Sequence, residues 1–172
     1  MRRTRKILRF LRTLQHSSAV RKEFGELTSK NMSSNILVLK VLTILEHLFT
    51  ILFFLFDHRV FLGQLEVISK EAVGVYYPRS MKMYRLQNIF GALKNLAEIA
   101  AIVMEGQFNG ELIDMENGMK LIRGRAIEFI RNVLDIFVAS YYLHQPAGQA
   151  RKIGIIGIIT SIIQVLQALN LI

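Results

Sequence analysis

Four histidines, His16, His47, His58 and His144, are the side chains of this sequence best suited to hold a metal or pass a proton. No two of them stand three or four positions apart, so no helix presents a His pair to a metal ion. There is no cysteine, which removes disulfides, thiolate nucleophiles and sulfur ligands together. Glu128 and Asp135 are two carboxylates within one helical stretch and offer an acid and base pair. Neither has a nucleophile or a ligand set beside it, so a solvated helix face is the expected use of both. A phosphate-cradling G-x-x-x-x-G-K-[ST] loop and a G-x-S-x-G elbow are both absent. The expectation is no catalytic residue, no metal, no cofactor and no enzymatic activity.

What remains is the chemistry of surfaces. Arg2, Arg5, Arg9, Arg12 and His16 recur at spacings of 3, 4, 3 and 4. Ile7, Leu11, Leu14 and Ser18 recur in the same way on another side, with Leu8 and Phe10 beside them. This is helical periodicity with one cationic and one apolar face. Such a helix suits the plane of an anionic membrane, its apolar side chains in the headgroup boundary and its arginines among the phosphates. Each basic residue close to that surface contributes about 1 kcal/mol, and six fall within the first twelve positions. The alternative use of residues 1–19 is a helix packed on the rest of the protein with solvated arginines. Met1–Gln15 has no long apolar core and no small-residue cleavage site, so it does not read as a signal peptide.

The elements that must carry this helix are themselves apolar. Hydrophobic residues make up 52% of the 172 residues, yet the net charge is +9 and the mean hydropathy is +0.34. The two properties are segregated: basic charge at the N-terminus, apolar runs at 36–56 and 153–172. A partner apolar inside and anionic outside, a bilayer, fits both. Nucleic acid fits only the charge, and no basic helix with base-reading polar side chains is present.

Residues 21–35 read as a helix end and a turn, with Ser33, Ser34 or Asn35 available to cap the next helix. Residues 36–56 would be about 31 Å long as a helix, enough to cross the hydrocarbon. Lys40, Glu46 and His47 oppose insertion, so a lipid-facing span and a half-buried helix of a membrane-embedded bundle both remain open. Asp57-His58-Arg59 is expected to end that helix. Residues 60–75 continue as amphipathic helix or loop, and Gly74 to Pro78 reads as a break. Tyr76 and Tyr77 suit a headgroup level or ordinary packing. An amphipathic helix is expected over 81–104, with Lys94 and Glu98 as an i,i+4 pair. Residues 106–110 form a loop, and 112–143 one long helix with Arg131 and Asp135 as another pair.

Gln145 to Gly148 is a hinge. Residues 153–172 then run uncharged and form the clearest transmembrane candidate. Gly154, Gly157, Ser161, Gln164 and Gln167 mark a stripe of small and amide residues, the kind that packs membrane helices together. A pore lined by Thr160, Gln164 and Gln167, with Glu46 or Lys40 on a water path, is the sharper alternative. One to three spans are compatible with this pattern, and positive-inside logic places the N-terminus in the cytosol. No C-terminal Ser-Lys-Leu is present.

Three stretches together resemble the peroxin-eleven family of peroxisomal membrane proteins. The first is Arg3-Thr-Arg-Lys-Ile-Leu-Arg-Phe-Leu-Arg12, similar to the family's basic amphipathic helix. The second is Leu52-Phe-Phe-Leu-Phe-Asp57-His58-Arg-Val-Phe61-Leu62-Gly63, similar to its aromatic run closed by Asp-His. The third is Ile130-Arg131-Asn132-Val-Leu-Asp135-Ile-Phe137 joined to Gly154-Ile-Ile-Gly157-Ile-Ile-Thr-Ser161, similar to its Arg-Asn-x-x-Asp segment and final helix. They occur in family order across nearly the whole chain.

The resemblance implies a peroxisomal membrane protein that elongates the membrane ahead of fission. It implies anionic lipids as partners, homo-oligomerisation, and a dynamin-type fission GTPase with its membrane adaptor. It also implies, as the alternative, a channel for small metabolites. Family members carry a further helical region before the amphipathic helix, at which this sequence begins. The expected fold is all-α: one membrane-associated helical bundle over 1–172, with an N-terminal amphipathic helix and a C-terminal transmembrane helix.

Overall fold

The structure is a computed structural model that describes the backbone of residues 2–27, 33–105, 107–108, 111–112, 114–144 and 150–168, and the side chains of 13–27, 33–104, 114–144 and 153–167. The fold is all-α. Helices α1 (Arg2–Leu27), α2 (Ser34–Gln64), α3 (Lys70–Glu105), α4 (Met115–His144) and α5 (Ala150–Ala168) follow one another along the chain. A two-residue antiparallel ladder, β1 (Gln107–Phe108) with β2 (Glu111–Leu112), turns the chain between α3 and α4. Each described helix packs on its neighbours in sequence, α1 on α2, α2 on α3, α3 on α4 and α4 on α5.

Several helices run further than the sequence suggests. Asp57-His58-Arg59 does not end α2, which continues to Gln64. There the stop is made by backbone geometry. Val67 N–H donates to Leu62 O at 3.0 Å and Glu66 N–H to Gly63 O at 3.1 Å, the paired bonds of a Schellman ending. Glu66 takes the left-handed position at φ 61°, where glycine is usual. The close approach of α2 and α3 just inside this turn needs Gly63, because a Cβ there would overlap Val73 Cγ2.

Pro78 does not break the chain either; it lies inside α3. The helix forgoes one hydrogen bond at Pro78, and contacts with α2 on the same stretch hold it. Arg59 Nη1 donates to the Tyr76 hydroxyl at 2.6 Å, with its guanidinium 4.9 Å from the ring centroid. The Phe56 and Tyr76 rings stack at 6.3 Å. Tyr76 is thus engaged in packing.

Helix α2 is long and apolar enough to cross a membrane: 31 residues, with a mean hydropathy of 2.1 over its most apolar stretch. The expected transmembrane candidate at 153–172 is shorter where it is described. Its apolar stretch is Ile153–Gln167, about 22 Å against a hydrocarbon core of about 30 Å; residues 169–172 lie outside the described residues. So do residues 28–32 of the helix end and turn expected over 21–35, the hinge at 145–148 and part of the 106–110 loop.

Candidate membrane-facing surface and the polar seam behind it

The described residues are sorted opposite to a water-soluble bundle. Among the described residues the buried apolar side chains are few and include Ile44, Phe54, Val60 and Ile102. Thr50, Ser80, Asn88, Asn95, Glu98, Asn132, Asp135 and Thr160 are buried with them, Asn95 at 1% exposure. Large apolar side chains face outward instead. Leu48, Leu52, Leu55 and Leu62 form a stripe along α2, and Ile155, Ile158, Ile159, Ile162 and Val165 cover α5. Contiguous exposed apolar surface of this extent marks contact with lipid or another protein. In hydrocarbon, polar groups must find partners inside the protein.

Most of these buried polar groups find partners, although Asn95 Oδ1 has none among the described residues. Lys94 Nζ donates to Glu46 Oε2 at 2.6 Å, joining α3 to α2. Arg125 Nε lies 2.7 Å from Glu98 Oε2, joining α4 to α3. The Tyr84 hydroxyl on α3 is hydrogen-bonded to the Asp135 carboxylate on α4, and Thr160 of α5 lies beside that carboxylate while its hydroxyl donates to Gly157 O at 3.1 Å. Burial nonetheless holds that carboxyl above the usual carboxylate range, against the hydrogen bond from Tyr84 and the charge of Arg131. Burial, chiefly, with the negative charge of Asp135, pushes the Tyr84 hydroxyl above its ordinary range. Arg131 Nη1 donates to Gln167 Oε1 at 2.8 Å. Gly91 makes the seam possible, since a Cβ there would come within 2.7 Å of Asn132 Nδ2 and 3.2 Å of Glu46 Oε1. The stacked rings of Phe49 and Phe90, 5.3 Å apart, flank it.

These pairings correct three expectations. Lys94 and Glu98 are not partners of each other; each reaches across to another helix. Arg131 bonds Gln167 on α5 rather than Asp135 one turn away. Asp135, expected on a solvated face, is only 6% exposed. In each case an interhelical partner removes the group from water, which a local i,i+4 pair cannot do. Period alone gave no sign of this; the clustering of Asn88, Asn95 and Asn132 with Asp135 at helical spacing was the available signal.

Of the surface-binding candidates, Arg2, Arg5, Ile7, Leu8, Arg9, Phe10, Leu11 and Arg12 lie on the α1 backbone, with side chains outside the described residues. Leu14 is 60% exposed. The α5 candidates divide into two sets. Gln164 borders a polar cavity of about 520 Å³ together with Glu46, Tyr84, Asn132 and Asp135, and Gln167 holds Arg131. Gly154, Gly157 and Ser161 instead line a mostly apolar groove with Val138, Tyr142 and Ile158. Added Cβ atoms at Gly154 and Gly157 meet nothing within 4 Å. Of the charges suggested for a water path, Lys40 is paired with Glu23 and Glu26, and Glu46, at the edge of the polar cavity, is paired with Lys94. The channel alternative is not favoured.

No cluster of three or more potential metal ligands occurs among the described residues. No curated protein and no solved structure matches the sequence. The family model for peroxisomal biogenesis factor 11 (PEX11) matches residues 1–169, a family of peroxisome biogenesis factors rather than of enzymes. With nearly the whole length matched and an apolar helix able to meet a membrane, the chain belongs to the peroxisomal biogenesis factor 11 family.

Proposed function

We propose that this protein remodels and elongates the peroxisomal membrane ahead of fission, with α1 as a wedge in one leaflet and α2 and α5 as its hydrophobic anchor. The observation that carries this reading is the sorting of the bundle: a largely paired polar seam inside and leucine and isoleucine stripes outside. That surface requires an apolar surrounding, and the family places the protein in peroxisome biogenesis.

The wedge follows from α1. An amphipathic helix inserted at the headgroup boundary expands that layer more than the acyl layer beneath, and many copies on one face favour positive curvature. The basic residues hold it to anionic lipid. Self-association through the groove at Gly154, Gly157 and Ser161 would concentrate the wedges. A dynamin-type GTPase and its adaptor would then act on the narrowed tubule.

The test is to express a tagged Leu11→Glu chain at wild-type level in cells with labelled peroxisomes. A charge in the inserted face removes insertion while leaving the arginines in place. Short, unelongated peroxisomes are expected. Normal elongation, or residence of the wild-type protein in mitochondria or cytosol, overturns the reading.

A further inference from the structure

Helix α1 is attached to the described fold through α2 alone. The attachment is polar and repeats in register. His16 Nδ1 lies 3.0 Å from His47 Nδ1, with the His16 ring 5.9 Å from that of Phe54. Lys40 Nζ donates to Glu23 Oε2 at 3.3 Å and also to Glu26. Moving seven residues forward along α1, from His16 to Glu23, moves seven back along α2, from His47 to Lys40. The two helices are therefore an antiparallel hairpin. His16, Glu23 and Glu26 are turned toward α2, while Leu14 and Ser18 are exposed.

This position conflicts with the membrane position of the same helix. By spacing, His16 closes the basic stripe that begins at Arg2. A wedge needs that side among lipid phosphates, and in the hairpin His16 lies on α2. One helix side cannot do both. If α2 enters the bilayer, a basic helix lying along it would be carried into hydrocarbon, where arginine is strongly disfavoured.

Resting on the wedge reading above, we infer that α1 alternates between a latched position along α2 and a released position on the membrane, and that Lys40 with the His16–His47 pair forms the latch. Anionic lipid is the ligand that releases it. A phosphate can replace the carboxylates of Glu23 and Glu26 at Lys40, and the basic residues of α1 gain phosphate partners at the same time. Lipid therefore binds the released form better, the condition for shifting such an equilibrium. The contact at Lys40 is autoinhibitory: it keeps the wedge folded away until an anionic surface competes for it.

The absence of cysteine permits a reversible lock. His16→Cys/His47→Cys puts one thiol on each side of the hairpin contact, and a short bis-maleimide with a reducible central disulfide joins them if the hairpin is present. The full chain, purified in detergent, is crosslinked and reconstituted into phosphatidylcholine vesicles containing phosphatidylinositol. The crosslinked form should lose tubulation and recover it on reduction with dithiothreitol. Lys40→Met, in the chain without cysteine, should tubulate at a several-fold lower protein-to-lipid ratio than wild type.

Failure of the crosslink to form, equal tubulation before and after reduction, an inactive reduced form, or an unchanged threshold in Lys40→Met would each overturn the latch. Leu11→Glu separates the two readings. If it is inactive while the locked chain tubulates, the wedge stands and the latch falls. If Leu11→Glu tubulates as wild type does, the wedge itself falls.

Discussion

Lys94 Nζ lies 2.6 Å from Glu46 Oε2, across 48 positions of sequence and between two helices, with both side chains largely withdrawn from solvent. Removing one partner leaves the other charge without its closest counter-ion. Glu46→Leu or Lys94→Met alone should destabilise the detergent-solubilised protein by about 2–4 kcal/mol, whereas the double variant should recover most of the loss. Thermal unfolding of the three variants reads the difference. Equal losses in single and double variants would mean that the pair contributes no coupling.

Two glycines should respond in opposite ways. At Gly91 a side chain meets Asn132 and Glu46, so Gly91→Leu should force α3 away from its neighbours and lower the melting temperature sharply. At Gly157 an added Cβ meets nothing within 4 Å. Gly157→Leu should leave the melting temperature of the single chain unchanged and reduce crosslinking between copies, because a bulky side chain keeps helix backbones apart. Wild-type crosslinking in Gly157→Leu would show that this groove does not join copies.

Glu66 ends α2 in a conformation that disfavours side chains, at φ 61°. Glu66→Gly should stabilise the protein by about 1 kcal/mol through relief of that strain, offset in part by added freedom of the unfolded chain. Chemical denaturation monitored by circular dichroism checks it. A net loss of stability would indicate that the Glu66 carboxylate makes a favourable contact outweighing the strain.

Asp135 should make stability depend on pH in a defined direction. Its folded carboxyl is raised from the ordinary value of 3.8. The stability it contributes is therefore complete below that value and declines as pH rises through the raised folded one. Asp135→Asn keeps an acceptor for Tyr84 and cannot ionise, so it should flatten this decline and match or exceed wild type at neutral pH. Asp135→Leu leaves the Tyr84 hydroxyl without its acceptor and should cost about 1–3 kcal/mol. A wild-type slope in Asp135→Asn would assign the pH dependence to another group.

Reversing Arg5, Arg9 and Arg12 to Glu should abolish binding of a synthetic α1 peptide to anionic vesicles. Three attractions of about 1 kcal/mol each are lost and comparable repulsions appear, more than a short helix's binding can absorb. Binding to neutral vesicles should be weak for both peptides, so co-sedimentation with the two lipid compositions isolates the charge effect. Retained binding of the reversed peptide to anionic vesicles would remove the electrostatic part of the mechanism.

The helical character of this protein, its basic N-terminal periodicity and its family resemblance were legible in the order of its residues. Period and hydropathy are local properties, and a run such as Leu48–Phe56 declares itself without reference to the rest of the chain. The ends of α2 and α3 were not legible. Asp57-His58-Arg59 and Pro78 are breakers by local rule, but contacts between the two helices, such as Arg59 on Tyr76, outweigh one lost backbone bond. Partner choice was likewise hidden. Lys94 and Glu98 satisfy the i,i+4 rule, yet folding offers each a partner on another helix, Glu46 and Arg125. The same holds for α1. Its basic and apolar stripes are written in spacing, but only the tertiary structure sets His16 against His47 and Glu23 against Lys40. Such pairings join residues distant in sequence, and what decides them is which groups the packed helices withdraw from solvent together.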